Sequence, residues 1–152
     1  VDAIYGHKAS ATAIDEMGIV VRARAGSADI DLSETVLEIS DSNIKNLLIY
    51  DSTGFKLPTE IEGDFFVLSA FDGSAAQFRV CVLEDADGSC QSGTPVINQG
   101  DHVMLCLDVG NGFGNLAPRA DVFGQIIPED GAPGVISFTA PASFIDTVIE
   151  LQ

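Results

Sequence analysis

The chain has 152 residues, 46% of them hydrophobic, with nine Phe, 15 Gly and no Trp; this suffices for one packed domain and excludes a disordered tail. Its 23 acidic residues against seven Lys and Arg give a formal charge of −16, which repels the phosphates of nucleic acid and of anionic lipid. The acidity fits solubility in salt and cation binding alike and does not choose between them.

No apolar run reaches the ~18 residues of a membrane-spanning helix, so no segment is expected to cross a bilayer. Val1–Tyr5 is a short apolar stub, and Gly6–Asp15 (GHKASATAID) is small and polar and reads as a loop. Met17–Ala25 alternates in part and predicts a strand, closed by a turn at Gly26–Asp29. Thr35–Ile39 (TVLEI) predicts the next strand, and the cluster Asp41-Ser42-Asn43 turns the chain towards a short apolar strand at Leu47–Tyr50. Phe55–Gly63 has no clean period and reads as a loop. Asp64–Phe71 (DFFVLSAF) predicts a strand, and Asp72-Gly73-Ser74 a hairpin-type turn.

The stretch Gln77–Val109 organises the rest. Phe78, Val80 and Val82 share one face of a first strand, and Val103, Leu105, Leu107 and Val109 one face of a second, the period-two signature of half-buried strands. The connection Glu84–Asp101 is long for a hairpin, and connections of that length are usually functional or carry a staple of their own. Asp85 and Asp87, two apart on a turning backbone, suit the hard oxygen chemistry of Ca²⁺ or Mg²⁺. Thr94 and the carbonyl of Cys90 are candidate further ligands. The helix–loop–helix Ca²⁺ pattern is not met, because Gly88 falls too early and Val96 stands where a bidentate Glu belongs. The plain alternative is a solvated Asx-turn.

Three cysteines leave one odd. Cys90 in the loop is placed to bridge Cys106 on the second strand, a Cys81–Cys106 pair has a compatible spacing, and three free thiols are the reading for a reducing cytosol. A small, Gly-rich, acidic β-domain resembles an exported one, which favours a bridge.

Beyond Val109, Gly110–Asn115 reads as a flexible loop; it resembles a phosphate loop only in glycine content. Arg119–Ile127 and Val135–Thr139 predict strands around the rigid connection Pro128–Gly134, and Thr147–Leu151 closes the chain. His7 and His102 are the only imidazoles and read as surface residues; no GxSxG or HExxH pattern occurs, and pairs such as Glu60/Glu62 and Glu129/Asp130 read as solvated faces. Nothing here points to an enzyme. The count is about nine strands with turn signals between them and no helix beyond a turn or two. That predicts an all-β fold, an antiparallel β-sandwich of immunoglobulin-like form or a partly closed barrel, over residues 1–152 as a single domain.

Several long stretches resemble archaeal flagellins (archaellins). They are Val82–Asp87 (VLEDAD), Thr94–Asp101 (TPVINQGD), Ile127–Pro133 (IPEDGAP), Val135–Thr139 (VISFT) and the closing Ile149–Gln152. Ala25–Ser33 (AGSADIDLS) is similar to the family's AGSxPIDLS segment. The resemblance runs in order along most of the chain and is weakest between Asn43 and Ala76. It implies a structural subunit of the motility filament, extracellular and not an enzyme, which self-assembles through a hydrophobic N-terminal helix and lateral contacts between β-domains. Val1–Tyr5 is then expected to follow that helix. The resemblance also implies a structural divalent cation on Asp85 and Asp87, with Cys90 and Thr94 as weaker ligands, and it favours the Cys90–Cys106 bridge. Family members often carry N-linked glycans, yet none of Asn43, Asn46, Asn98, Asn111 or Asn115 begins an Asn-X-Ser/Thr triplet. The rival expectation is a secreted, Ca²⁺-stabilised adhesion or carbohydrate-binding module; two Tyr and no Trp count against its binding groove.

Overall fold

The computed structural model, which describes residues 1–152, is built from twelve strands, one short helix and four 3-10 turns. In chain order the strands are β1 (Ala3–Ser10), β2 (Ala13–Arg22), β3 (Ile30–Asp31), β4 (Val36–Ser40), β5 (Lys45–Tyr50), β6 (Gln77–Glu84), β7 (Cys90–Gln91), β8 (Thr94–Ile97) and β9 (His102–Asp108). Helix α1 (Val109–Phe113) follows, then β10 (Asp121–Ile127), β11 (Gly134–Thr139) and β12 (Val148–Glu150). Nine strands form one curled sheet in the order β11-β10-β4-β5-β6-β9-β2-β1-β12, and β3-β8-β7 form a small second sheet. All pairings are antiparallel except β5 with β6, where Ile49 and Tyr50 face Gln77 and Phe78 in parallel. The edge strand β11 meets the end of the chain: the Ser137 N–H donates to Oε1 of Gln152 at 3.0 Å, so the curl approaches a closed barrel.

The main core of 25 buried residues lies inside the curl, between the β11-β10-β4-β5 half and the β6-β9-β2-β1 half. Phe78, Val80 and Val82 of β6 and Val103, Leu105 and Leu107 of β9 point into it, as their period-two spacing predicts. Burying these six side chains contributes on the order of 10 kcal/mol before the entropy of ordering them is subtracted. The other face of the same two strands is buried as well. Cys81, Met104 and Cys106 form a second cluster with Phe66, Ala70 and Phe71.

That second cluster explains where the chain departs from its sequence pattern. Asp64–Phe71 is not a strand but two 3-10 turns, Phe65–Val67 and Ser69–Phe71. The Asp64 carboxylate accepts from the Phe66 N–H at 3.0 Å and starts the first turn. The segment is apolar almost throughout and lacks strict alternation, so it serves as a lid on the back of the sheet. Gly6–Asp15, where the sequence predicts a loop, is instead the second half of β1, a tight turn at Ala11 and Thr12, and the start of β2, because β2 on one side of β1 and β12 on the other take up its backbone groups. Gly110–Phe113 belongs to a short helix rather than a loop. Asp108 caps it, accepting from the Asn111 N–H at 2.8 Å, and Gly114 ends it at φ +71°, the left-handed region that suits glycine.

The expected Cys90–Cys106 bridge is not formed. The Cys90 thiol is packed in the main core, whereas Cys106 faces the back of the sheet, so the sheet itself separates them. The Cys106 sulfur lies 3.5 Å from that of Cys81, its diagonal neighbour across the β6–β9 ladder, where Cys81 faces Met104 and Cys106 faces Arg79. In β10, Gly124 is required by close approach: a Cβ there would stand 2.2 Å from the carbonyl oxygen of Glu38 in β4.

Candidate metal centre

The long β6–β9 connection is a built structure. The turn after β6 carries Asp85 and Asp87, β7 and β8 form a tight hairpin, and Asp101 immediately precedes β9. One carboxylate oxygen from each of Asp85, Asp87 and Asp101 falls within a cluster whose members lie within 4.8 Å of one another. Asp101 is wholly buried, Asp85 half-buried and Asp87 exposed.

Each carboxylate is tied into the loop backbone. Asp85 Oδ1 accepts from the N–H groups of Gly88 (2.8 Å) and Ser89 (3.2 Å), and its Oδ2 from that of Cys90 (3.2 Å). Gly88, at φ +78°, supplies the left-handed residue this turn needs. Asp87 Oδ1 accepts from the Ser89 N–H at 2.9 Å, and its Oδ2 from the Asn98 side-chain amide at 2.8 Å. The hydrogen bonds from Asn98 and Ser89 hold the Asp87 carboxyl below the usual carboxylate range. Asp101 Oδ1 accepts from the Ala86 N–H and its Oδ2 from the Asn98 N–H, both at 2.9 Å, so this one buried side chain joins the two ends of the loop.

No basic side chain pairs with any of these three acids. Three oxygen-only donors, partly desolvated and with no cationic side chain beside them, match the preference of Ca²⁺ or Mg²⁺ for hard oxygen ligands. A carboxylate offers about four lone-pair sites, so the hydrogen bonds above leave room for an ion. The donor set therefore fits the cation that the sequence leads one to expect.

The site only partly matches its sequence outline. Asp85 and Asp87 are brought together. Cys90 meets the cluster through its N–H, where the sequence predicts a carbonyl ligand; its thiol is turned into the core, and burial, followed by the charges of Asp85 and Asp101, pushes it up to about 12. Thr94 opens β8 opposite Gln91, exposed, and makes no hydrogen bond with the three acids. Asp101 is the member that sequence reasoning missed. The signal available was an acid placed directly after Gly100, at φ +106°, and before an apolar strand.

Elsewhere, a cavity of about 220 Å³ beside Arg22, Arg24, Ile30 and Pro133 carries no aromatic side chain, which leaves it without the stacking surface a sugar-binding groove uses. Leu47 and Ile49 of β5, Phe123 of β10 and Val135 of β11 are more than half exposed. The strand registers put all four on the outer face of the β11-β10-β4-β5 half, since their neighbours Leu48, Val122 and Ile136 point inward.

A family model for archaeal-type flagellins matches residues 1–138. Flagellin B2 of Methanocaldococcus jannaschii is 46% identical over 143 residues, covering 92% of this chain and 66% of that protein. The chain spans about two thirds of the length of the curated relatives it matches. The crystal structure of archaeal flagellin FlaB1 from the same organism superposes with a TM-score of 0.88 at 35% identity, covering 99% of this chain and 93% of that one. The archaeal flagellum of Methanospirillum hungatei strain JF1 shares the fold, with a TM-score of 0.59 at 13% identity over 98% of this chain and 68% of that one.

Proposed function

The chain belongs to the archaeal-type flagellin family, and from that membership we propose that it is the outward-facing β-domain of a structural subunit of the extracellular archaeal motility filament. The family is one of structural subunits and not of enzymes. The observation that carries the lateral part of this reading is the sharing of one outer face by four exposed apolar side chains, the pairs Leu47/Ile49 and Phe123/Val135, with Glu38, Ser40 and Gln125 between the pairs. Exposed apolar side chains that share one face of a sheet mark a candidate contact site. A helical filament is an open assembly, so the patch meets a different surface of the neighbouring subunit and not its own copy. The hydrophobic helix implied by the family resemblance supplies the remaining contacts, at the filament core.

In this reading Asp85, Asp87 and Asp101 hold a hard divalent cation, Ca²⁺ or Mg²⁺. When bound it offsets their mutual repulsion and braces a long loop. The three carboxylates orient the ion, while Asn98, Ser89 and the backbone amides orient the carboxylates. The domain then presents a fixed surface to its neighbours, and its contribution to motility is stiffness.

The test uses the complete filament-forming polypeptide. Leu47→Glu combined with Phe123→Glu is expected to abolish filaments in electron micrographs while leaving the thermal midpoint of the β-domain unchanged, because both side chains are exposed. Normal filaments from the double variant would remove this face from the assembly. Failure of the unsubstituted polypeptide to polymerise would remove the filament reading itself.

A further inference from the structure

We propose that His7, Asp15 and Glu16 form a second cation site, separate from the Asp85 loop, that takes a transition-metal ion of the Zn²⁺ or Co²⁺ kind. The site is made by a β-bulge. The β1–β2 ladder pairs His7 with Glu16, and the next pair is Lys8 with Ile14, so Asp15 is an extra residue in β2. In an unbroken strand Asp15 and Glu16 point to opposite faces. The bulge re-aims Asp15 and brings both carboxylates to one imidazole.

The spacing is that of a ligand set. His7 Nδ1 stands 2.9 Å from Asp15 Oδ1 and 3.4 Å from Glu16 Oε2. One donor atom from each of the three residues lies within 4.8 Å of the others. Two ligands held about 2.0–2.2 Å from one ion, at angles between right and tetrahedral, are separated by about 2.9–3.5 Å.

A second observation points to a missing partner. Glu16 Oε2 is shut off from solvent and accepts no hydrogen bond, and it is the one buried side-chain oxygen in the molecule in that position. A ring nitrogen can give one proton to only one acceptor, and Asp15 is the nearer to Nδ1. No Lys or Arg pairs with Asp15 or Glu16. A metal ion contacts both carboxylates at once, which one proton cannot do.

The donor chemistry sets the class of ion. An imidazole nitrogen with two carboxylate oxygens suits Zn²⁺, Co²⁺ or Ni²⁺, whereas the oxygen-only Asp85 loop suits Ca²⁺ or Mg²⁺. The His7 ring is held for the task by stacking on Phe66, with centroids 5.3 Å apart and planes 23° from parallel. Glu16 pairs with Asp108 at the end of β9, and Asp101 stands just before its start. The two sites thus clamp the two ends of the central strand.

The experiment titrates the purified protein with Co²⁺, followed by visible absorption, and with Zn²⁺, followed by calorimetry, in excess Mg²⁺ so that the Asp85 loop is occupied. One ion per chain is expected. His7→Phe keeps a ring on Phe66 but removes the donor nitrogen, and Glu16→Gln keeps the shape but removes the charge. Each is expected to weaken binding about tenfold or more, while Glu129→Gln, exposed and in neither cluster, changes it by less than about twofold. Circular dichroism checks that each variant folds, and Glu16→Gln alone decides the matter if His7→Phe does not. Absence of uptake, or uptake that the variants leave unchanged, overturns the proposal and leaves the His7 ring hydrogen-bonded to Asp15 beside Glu16.

Discussion

Replacing Asp101 by Ala isolates the architecture of the acidic loop from its cation chemistry. Asp101 is wholly buried and accepts two backbone N–H groups, from Ala86 and Asn98, at 2.9 Å each. Hydrogen bonds to a charged acceptor contribute about 1.5–3 kcal/mol apiece. The substitution also removes the cost of burying the carboxylate, so a net loss of about 3–5 kcal/mol is expected. With an unfolding entropy near 2.1 cal/mol/K per residue, that loss lowers the melting temperature by about 9–16 °C. The measurement is calorimetric and urea unfolding in EDTA, where no cation contributes. The exposed Asp87 behaves differently. Asp87→Ala should lower the EDTA curve far less than Asp101→Ala, because its hydrogen bonds lie in solvent, but abolish the rise that Ca²⁺ or Mg²⁺ produces in the parent, about 2.7 kcal/mol or roughly 8 °C at 100 times the dissociation constant. An Asp101→Ala protein within about 1 kcal/mol of the parent in EDTA would refute the anchoring role. A cation-induced rise that survives Asp87→Ala would place the ion elsewhere.

Four further outcomes follow from the same structure. Glu16 is raised from 4.5 to about 7, so the folded chain holds its proton more tightly than the unfolded chain; the associated stability is complete below 4.5 and lost as pH climbs through 7. In EDTA, Glu16→Gln should therefore flatten the melting temperature across that range and lie above the parent at pH 8. Burial tends to raise the Asp51 carboxyl, but hydrogen bonds from Thr53 and from Arg79 at 2.8 Å outweigh it and hold it below its ordinary value. Its stabilisation is present at neutral pH and lost as acid protonates the folded form, so Asp51→Asn should lower neutral stability and flatten the acid limb of the urea midpoint against pH. Gly124→Ala forces a methyl against the Glu38 carbonyl oxygen and should cost at least about 2 kcal/mol by denaturant unfolding; an unchanged midpoint would mean that β4 and β10 separate freely. All three cysteines are buried, and the Cys90 and Cys106 thiols are pushed up chiefly by that burial. An aromatic disulfide reagent at pH 8 should therefore find no reactive thiol in the folded chain and three in guanidinium, and rapid labelling of folded Cys90 would contradict its place in the core.

Much of the fold was legible in the chain. β4, β5, β6, β9, β10 and β11 all lie where their alternation or apolar runs predict, because a strand with a buried face must repeat every second residue. The errors share one cause. β1 hides its period behind Gly6, His7 and Lys8, and Asp64–Phe71 carries apolar residues on every side. In neither does local composition show which neighbour the segment meets. For the site, the pair Asp85 and Asp87 was visible because the two are close in sequence. Asp101 was not, because nothing local marks an acid as the one that folding will bury.

The amino-acid sequence by itself determined the all-β class, the two central strands, the acidic loop between them and the family, since each rests on short-range periodicity or on contiguous matches. Only the tertiary structure decided that β6 and β9 are buried on both faces, that Cys106 turns to Cys81 and away from Cys90, that Asp101 completes the loop, and that a bulge sets Asp15 beside Glu16 and His7. Each of these depends on strand register and on which side of a sheet a residue faces, and long-range pairing fixes both.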